Sequence, residues 1–295
     1  MKNTVKNMRV EFLSWIILPM IGIWLATSYL IGITNTPLWD TKQETKNPQI
    51  LGIKTNKTNM PQNPDKLQWD GEALVTLWFD DAWDTQFTVA YPMMEDMGFK
   101  GSIAVPTYAV GTKGYMSWAQ MERLAYAKWE IDSHTRTHEC DLNNLSTEKA
   151  NFEVIGSKED LVSLGYNPDW FVSPCGVDSP LWRETATKNY LGFRGVENGI
   201  NSLPLKDTYS IKAKMANPKT TVDEVKQWVA EAKKEKSWLI IAFHQIDDSN
   251  SEYSMNASRF GEVLKVVKDS NLQVVLPEQV LNLVVGGNTK LKTIQ

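Results

Sequence analysis

Two adjacent aspartates and three histidines are the residues of this chain best suited to acid–base and metal chemistry. Asp80 and Asp81 follow the apolar run 73–79 (ALVTLWF). Neighbouring side chains on a strand point apart, but at a strand end the chain turns and both carboxylates can serve one site. Taken alone, the pair also reads as a helix N-cap beside a solvated acid. His134 and His138 stand four apart in SHTRTH at 133–138. A helical turn there would put both imidazoles on one face. Neutral imidazole is a nitrogen ligand for zinc and similar divalent cations. His244, the third histidine, ends the apolar run 238–243. A lone histidine at a core edge is ordinarily structural, but at the same end of the sheet as the other groups it suits a general acid. FVSPCG at 171–176 sets Cys175 behind a proline. It is either an ordinary Pro/Gly turn or a rigid loop that offers a backbone N–H to an oxyanion.

These groups need a scaffold that gathers strand ends. The sequence predicts strands over 73–79, 101–105, 129–132, 170–172, 191–194, 238–243 and 273–276. Helices are expected over 84–97, 118–127 (with Ser117 as N-cap), 146–164, 180–189, 221–234 and 258–270. Alternating strand and helix implies an α/β fold on a parallel sheet, open or closed into a barrel. Such folds carry their chemistry at the carboxyl ends of the strands, where all of the groups above fall.

The chain of 295 residues, with 31 Lys+Arg against 35 Asp+Glu, has a formal net charge of −4. That balance, with no basic cluster, gives no sign of nucleic-acid binding. Two cysteines exclude a disulfide scaffold and a four-cysteine zinc site. There is no G-x-S-x-G and no phosphate loop, which disfavours serine-nucleophile hydrolysis and nucleotide chemistry. Residues 12–33 carry no charge and are long enough to cross a membrane. Lys2, Lys6 and Arg9 precede them, so residues 1–11 are expected in the cytoplasm and the rest outside. The run reads as an uncleaved anchor, or as a signal peptide cut near Ala26-Thr27-Ser28. Residues 34–69, rich in Asn, Thr, Lys and Pro, read as a linker, 70–285 as the catalytic domain and 286–295 as a tail.

Taken in order, FDDAW (79–83), SHTRTH (133–138), FVSPCG (171–176) and AFH (242–244) resemble the first, second, third and fifth motifs of the polysaccharide deacetylase family. This family is also called the NodB-homology domain or carbohydrate esterase family 4. The resemblance spans about residues 70–285. It implies a distorted, incomplete (β/α)7 barrel. It implies one divalent metal, most often zinc, held by Asp81, His134 and His138. Asp80 would be the general base and His244 the acid that protonates the departing amine. The Cys175 backbone N–H would help to hold the oxyanion. The substrate would be an N-acetylated sugar in a cell-wall or extracellular polymer, and the products acetate and a free amino sugar.

Some positions depart from the family pattern. Val172 stands where the third motif often has an arginine that holds the base, and Arg194 is the candidate replacement. Ala82 and Asp132 replace glycines of the first and second motifs. Ala242 replaces a pocket-lining leucine, and the fourth motif has no evident counterpart. Cys140 and Cys175 either pair across two catalytic loops, stay free, or add soft ligands. Two other functions fit parts of this pattern. One is a non-catalytic glycan binder that grips with Trp83 and Trp182. The other is a metal hydrolase of a non-sugar carbon–nitrogen bond.

Overall fold

The strand that carries the two aspartates, β1 (Leu74–Asp80), is buried along its whole length. Leu74 and Trp78 project into one apolar cluster with Trp170, Trp238, Ile240 and Ala242. Val75, Leu77 and Phe79 project into a second, with Ile103, Leu239, Phe243 and Phe260. A strand covered on both faces can be apolar at every position, so β1 is a continuous hydrophobic run that ends abruptly in carboxylates.

The computed structural model describes residues 66–141, 146–176 and 179–284. Its other strands are β2 (Ser102–Val105), β3 (Glu130–Ser133), β4 (Trp170–Val172), β5 (Gly192–Arg194), β6 (Asn201–Ser202), β7 (Lys214–Met215), β8 (Ser237–Phe243) and β9 (Gln273–Val274). They form one sheet in the order β5-β4-β3-β2-β1-β8-β6, with β7 also on β8 and β9 also on β1. β9 takes the Leu74 and Val75 rungs of β1, which β2 leaves free because its register begins at Trp78. Every ladder is parallel except β6 on β8. The path ends at β5 on one side and β6 on the other, so the sheet curls without a closing ladder among the described residues.

All seven expected strands are present. The structure adds β6 and β7, each of two residues, too short to leave a periodic signal. No helix separates β5 from β6, so the strand–helix alternation is not as regular as the sequence reading expected. Two expected helices are also interrupted. The first is a wide π turn, Gln86–Ala90, followed by an α-helix, Tyr91–Asp96. The second starts at Thr147–Ala150 with Ser146 as cap, widens to a π turn over Asn151–Ile155, and ends as Gly156–Ser163. Such insertions turn side chains off the regular face and recur at functional sites. Elsewhere local chemistry sets the ends as expected. Ser117 with Gln120, and Thr221 with Glu224, form capping boxes.

Residues 12–33, the rest of the linker to 65 and the tail from 285 lie outside the described residues. No helix among the described residues is long and apolar enough to cross a membrane. Leu67 and Trp69, expected in the linker, pack against the inner apolar cluster.

Candidate active site

β1 delivers Asp80, and the chain then turns sharply. Asp81 (φ 76°) and Ala82 (φ 60°) are both left-handed. Two successive non-glycine residues there cost strain that the surroundings must offset. The turn is tied down from outside: the Met116 N–H donates to the Ala82 carbonyl at 2.8 Å, and the Asp84 N–H to Gly114 at 2.9 Å. The result brings Asp81 round to face both histidines of the second motif.

Those histidines do not converge by helical spacing, contrary to the sequence expectation. Residues 134–138 form an irregular loop in which Thr135 (φ 67°) and His138 (φ 60°) are left-handed. Buried Glu153 holds it, accepting from the Arg136 and Thr137 N–H groups at 2.9 Å and from the Thr137 hydroxyl. Arg136 makes a two-pronged pair with Asp160, 2.9 Å on each arm. Gly156 leaves room for this pair, since a Cβ there would push the Arg136 guanidinium out of place.

Asp81 Oδ1 lies 3.0 Å from His138 Nε2 and 3.3 Å from His134 Nε2. Their ligand atoms all lie within 4.8 Å of one another. Oδ1 is nevertheless buried without an aligned hydrogen bond. The tautomer of His134 explains why. Its Nδ1 sits 2.8 Å from the Val172 carbonyl, which can only accept, so the proton is on Nδ1. In its neutral form the ring then turns a lone pair, not a proton, toward the carboxylate. Two acceptors about 3 Å apart are the spacing of neighbouring ligands on one cation about 2.1 Å from each. The carbonyl behind the imidazole is the usual outer partner of a ligating histidine. The residues therefore fit a divalent metal.

Protonated imidazoles would instead donate to the carboxylate: burial alone would raise the Asp81 carboxyl, but hydrogen bonds and attraction from His134 and His138 outweigh it and hold it well below the usual range. Burial would lower His138, but Asp81 reverses this and raises it. His244 is lowered by burial, against the attraction of Asp80 and Asp81. Its Nε2 is 3.9 Å from Asp81 Oδ2, its buried Nδ1 has no partner, and the Tyr253 ring lies 5.0 Å from its own.

Arg194, fully buried, pairs with Asp80 through Nη2 on Oδ1, and its guanidinium also lies 4.9 Å from the Trp78 ring. β5 lies beside β4, with Arg194 opposite Val172. The cation thus comes from one strand over, at the level of the valine that departs from the family motif. Cys175 (φ 55°) is left-handed and bonded to Cys140, with Cα atoms 5.7 Å apart. The two sulfurs lie 3.7 and 3.8 Å from His138 Nδ1. The disulfide therefore joins the histidine loop to the 174–176 loop, and no described cysteine is free. The expectation that Trp182 grips glycans is wrong: it is fully buried against Phe171. Trp83 is half-buried at the site.

Two contributors were not visible in the sequence, and a third, the Trp83 indole, reads there only as a glycan contact. Gln86, turned inward by its π turn, donates through Nε2 to the Asp80 carbonyl at 2.6 Å and the His244 carbonyl at 3.1 Å, locking two strand ends together. Glu153 is the other. Their only sequence signal is a polar residue inside an expected helix.

The family described as polysaccharide deacetylase matches residues 69–195. YxkH of Bacillus subtilis, which carries the same family's name, is 31% identical over 134 residues, 45% of this chain and 46% of that one. The alignment thus spans less than half of that relative. Two solved structures share the fold. One is the Xyl-CE4 domain of a multidomain xylanase from the hindgut metagenome of Trinervitermes trinervoides (TM-score 0.53, 16% identity, covering 72% of this chain and 90% of that one). The other is a family 4 acetyl xylan esterase from Clostridium thermocellum in complex with a cobalt ion (TM-score 0.51, 18%, 71% and 90%). Motifs, fold and site geometry agree with the family match: residues 69–195 are similar to the polysaccharide deacetylase family.

Proposed function

We propose that this protein is a metal-dependent hydrolase that removes acetyl groups from N-acetylated sugars of a cell-wall or extracellular polysaccharide. The observation that carries the reading is the buried, orphaned Asp81 Oδ1 facing the Nε2 atoms of His134 and His138. The family match supports the substrate class. Asp81, His134 and His138 would hold the cation, with zinc favoured by the mixed nitrogen and oxygen donors. Bound there, a divalent cation supplies Lewis acidity toward an acyl oxygen and a water.

The chain's own residues divide the remaining work. Asp80, paired with Arg194, takes the proton of the attacking water. The backbone N–H of Cys175 donates to the acyl oxygen as it gains charge. His244, neutral at rest because burial lowers it, acquires a proton during turnover and gives it to the departing nitrogen. Gln86 fixes the base and the acid relative to each other by bonding both backbones. The charge-free run 12–33 supports a membrane anchor with the catalytic domain outside, or a secreted form after cleavage.

The test is acetate release from N-acetylglucosamine oligomers and from peptidoglycan. Activity should disappear on chelation, return with added zinc or cobalt, and be lost in Asp80→Asn. Full activity of the chelated protein, or of Asp80→Asn, refutes the mechanism. Glycan binding without turnover in the metal-loaded protein would favour a non-catalytic role.

A further inference from the structure

Only one oxygen of Asp81 faces the imidazoles of His134 and His138. The other, Oδ2, accepts the indole N–H of Trp83 at 2.9 Å. A carboxylate with both oxygens free can chelate a cation through two atoms or swing between them. A donor fixed on one oxygen prevents both.

Trp83 is itself held from outside the site. Its ring stacks on Tyr115, with centroids 4.4 Å apart and planes at 19°. The two residues also form an antiparallel backbone bridge. The next residue, Asp84, accepts from Gln120 Nε2 at 2.8 Å and donates its N–H to Gly114. The 114–120 segment therefore sets the direction of the indole N–H, and the indole sets the rotation of the carboxylate.

We propose that Trp83 is a positioning residue that keeps Asp81 a one-oxygen ligand, reserving Oδ1 for the cation. The proposal rests on the reading of Asp81, His134 and His138 as metal ligands. If Trp83 merely packs, the ring alone matters. Phenylalanine preserves a ring for Tyr115 but has no N–H, so the two roles separate.

The experiment uses the full chain stripped of metal and titrated with cobalt(II). Affinity is read by chelator competition and coordination by visible absorption. Trp83→Phe should weaken cobalt binding about 10- to 100-fold, the usual range when an outer partner of a ligand is removed. It should also weaken the visible bands, because a freed Oδ2 raises the coordination number. Tyr115→Leu, which removes the stack but keeps the N–H, should lower the melting temperature and change affinity less than about threefold. Trp83→Met, which also lacks the N–H, stands in if the phenylalanine variant does not fold. Wild-type affinity and spectrum in the folded Trp83 variant overturn the proposal, as does Tyr115→Leu reproducing both changes. Wild type that binds no cobalt refutes the metal reading itself, and the proposal falls with it.

Discussion

Arg194→Met tests whether the cation moved from the third motif to β5 does the work of the missing arginine. Methionine keeps the length of the apolar stem over Trp78 and removes the charge. Asp80, only 3% exposed, loses the partner on its Oδ1. Removing one member of a buried ion pair costs about 3–5 kcal/mol, because the other charge is left uncompensated. At roughly 2–4 °C per kcal/mol for a domain of this size, the melting temperature should fall by about 6–20 °C. Without Arg194 the Asp80 carboxylate loses the partner that orients its Oδ1, and a misplaced general base forfeits a contribution of about 100- to 10,000-fold. Acetate release at neutral pH should therefore fall at least about a hundredfold. The double variant Asp80→Asn/Arg194→Met should melt above Arg194→Met alone, since neither group then carries charge. The assays are calorimetry and steady-state acetate release on metal-loaded protein. A melting temperature within about 2 °C of wild type together with more than half the wild-type rate would refute the reasoning.

Three further outcomes follow from the same geometry. Burial and neighbouring carboxylates push Glu130 and Asp132 well above the usual carboxylate range, and burial with Asp169 nearby brings Glu278 up to about 7. These groups hold protons in the folded chain that the unfolded chain releases, so their contribution to stability is full below about pH 4.5 and is lost as pH rises through about 7. Calorimetry should show that decline, with a shallower slope in Asp132→Asn; an equal slope would contradict it. The disulfide closes a separation of 35 residues, for which loop-closure entropy gives about 3–4 kcal/mol. Cys140→Ser/Cys175→Ser should melt lower and release zinc faster to a chelator, because His138 loses its tie to the 174–176 loop; unchanged release would show that the loops hold without it. His244→Gln should depress hydrolysis of an N-acetyl sugar far more than that of an activated phenyl acetate, whose leaving group departs without a proton. Equal losses on the two substrates would remove His244 from the acid role.

The sequence alone determined where the candidate reacting groups lie. A parallel sheet buries its strands on both faces, so each strand reads as an unbroken apolar run whose end is plain. Asp80, Asp81, His134 and His244 are the polar residues that interrupt or end those runs. The seven main strands and the helix caps were legible for the same reason: both signals lie within a few neighbouring residues. The tertiary structure decided how the groups meet. The imidazoles converge through left-handed residues, not helical spacing, and none of Asp81, Ala82, Thr135 or His138 is a glycine that would have signalled it. Gln86 and Glu153 reach the site because π turns swing them off the regular helix face. Arg194 meets Asp80 across 114 residues of chain, and Trp182, equally aromatic and equally polar in its flanks, is swallowed by the core while Trp83 stays at the mouth. Pairings of that kind depend on which strands become neighbours, and strand order is a property of the packed sheet that no local stretch of residues encodes.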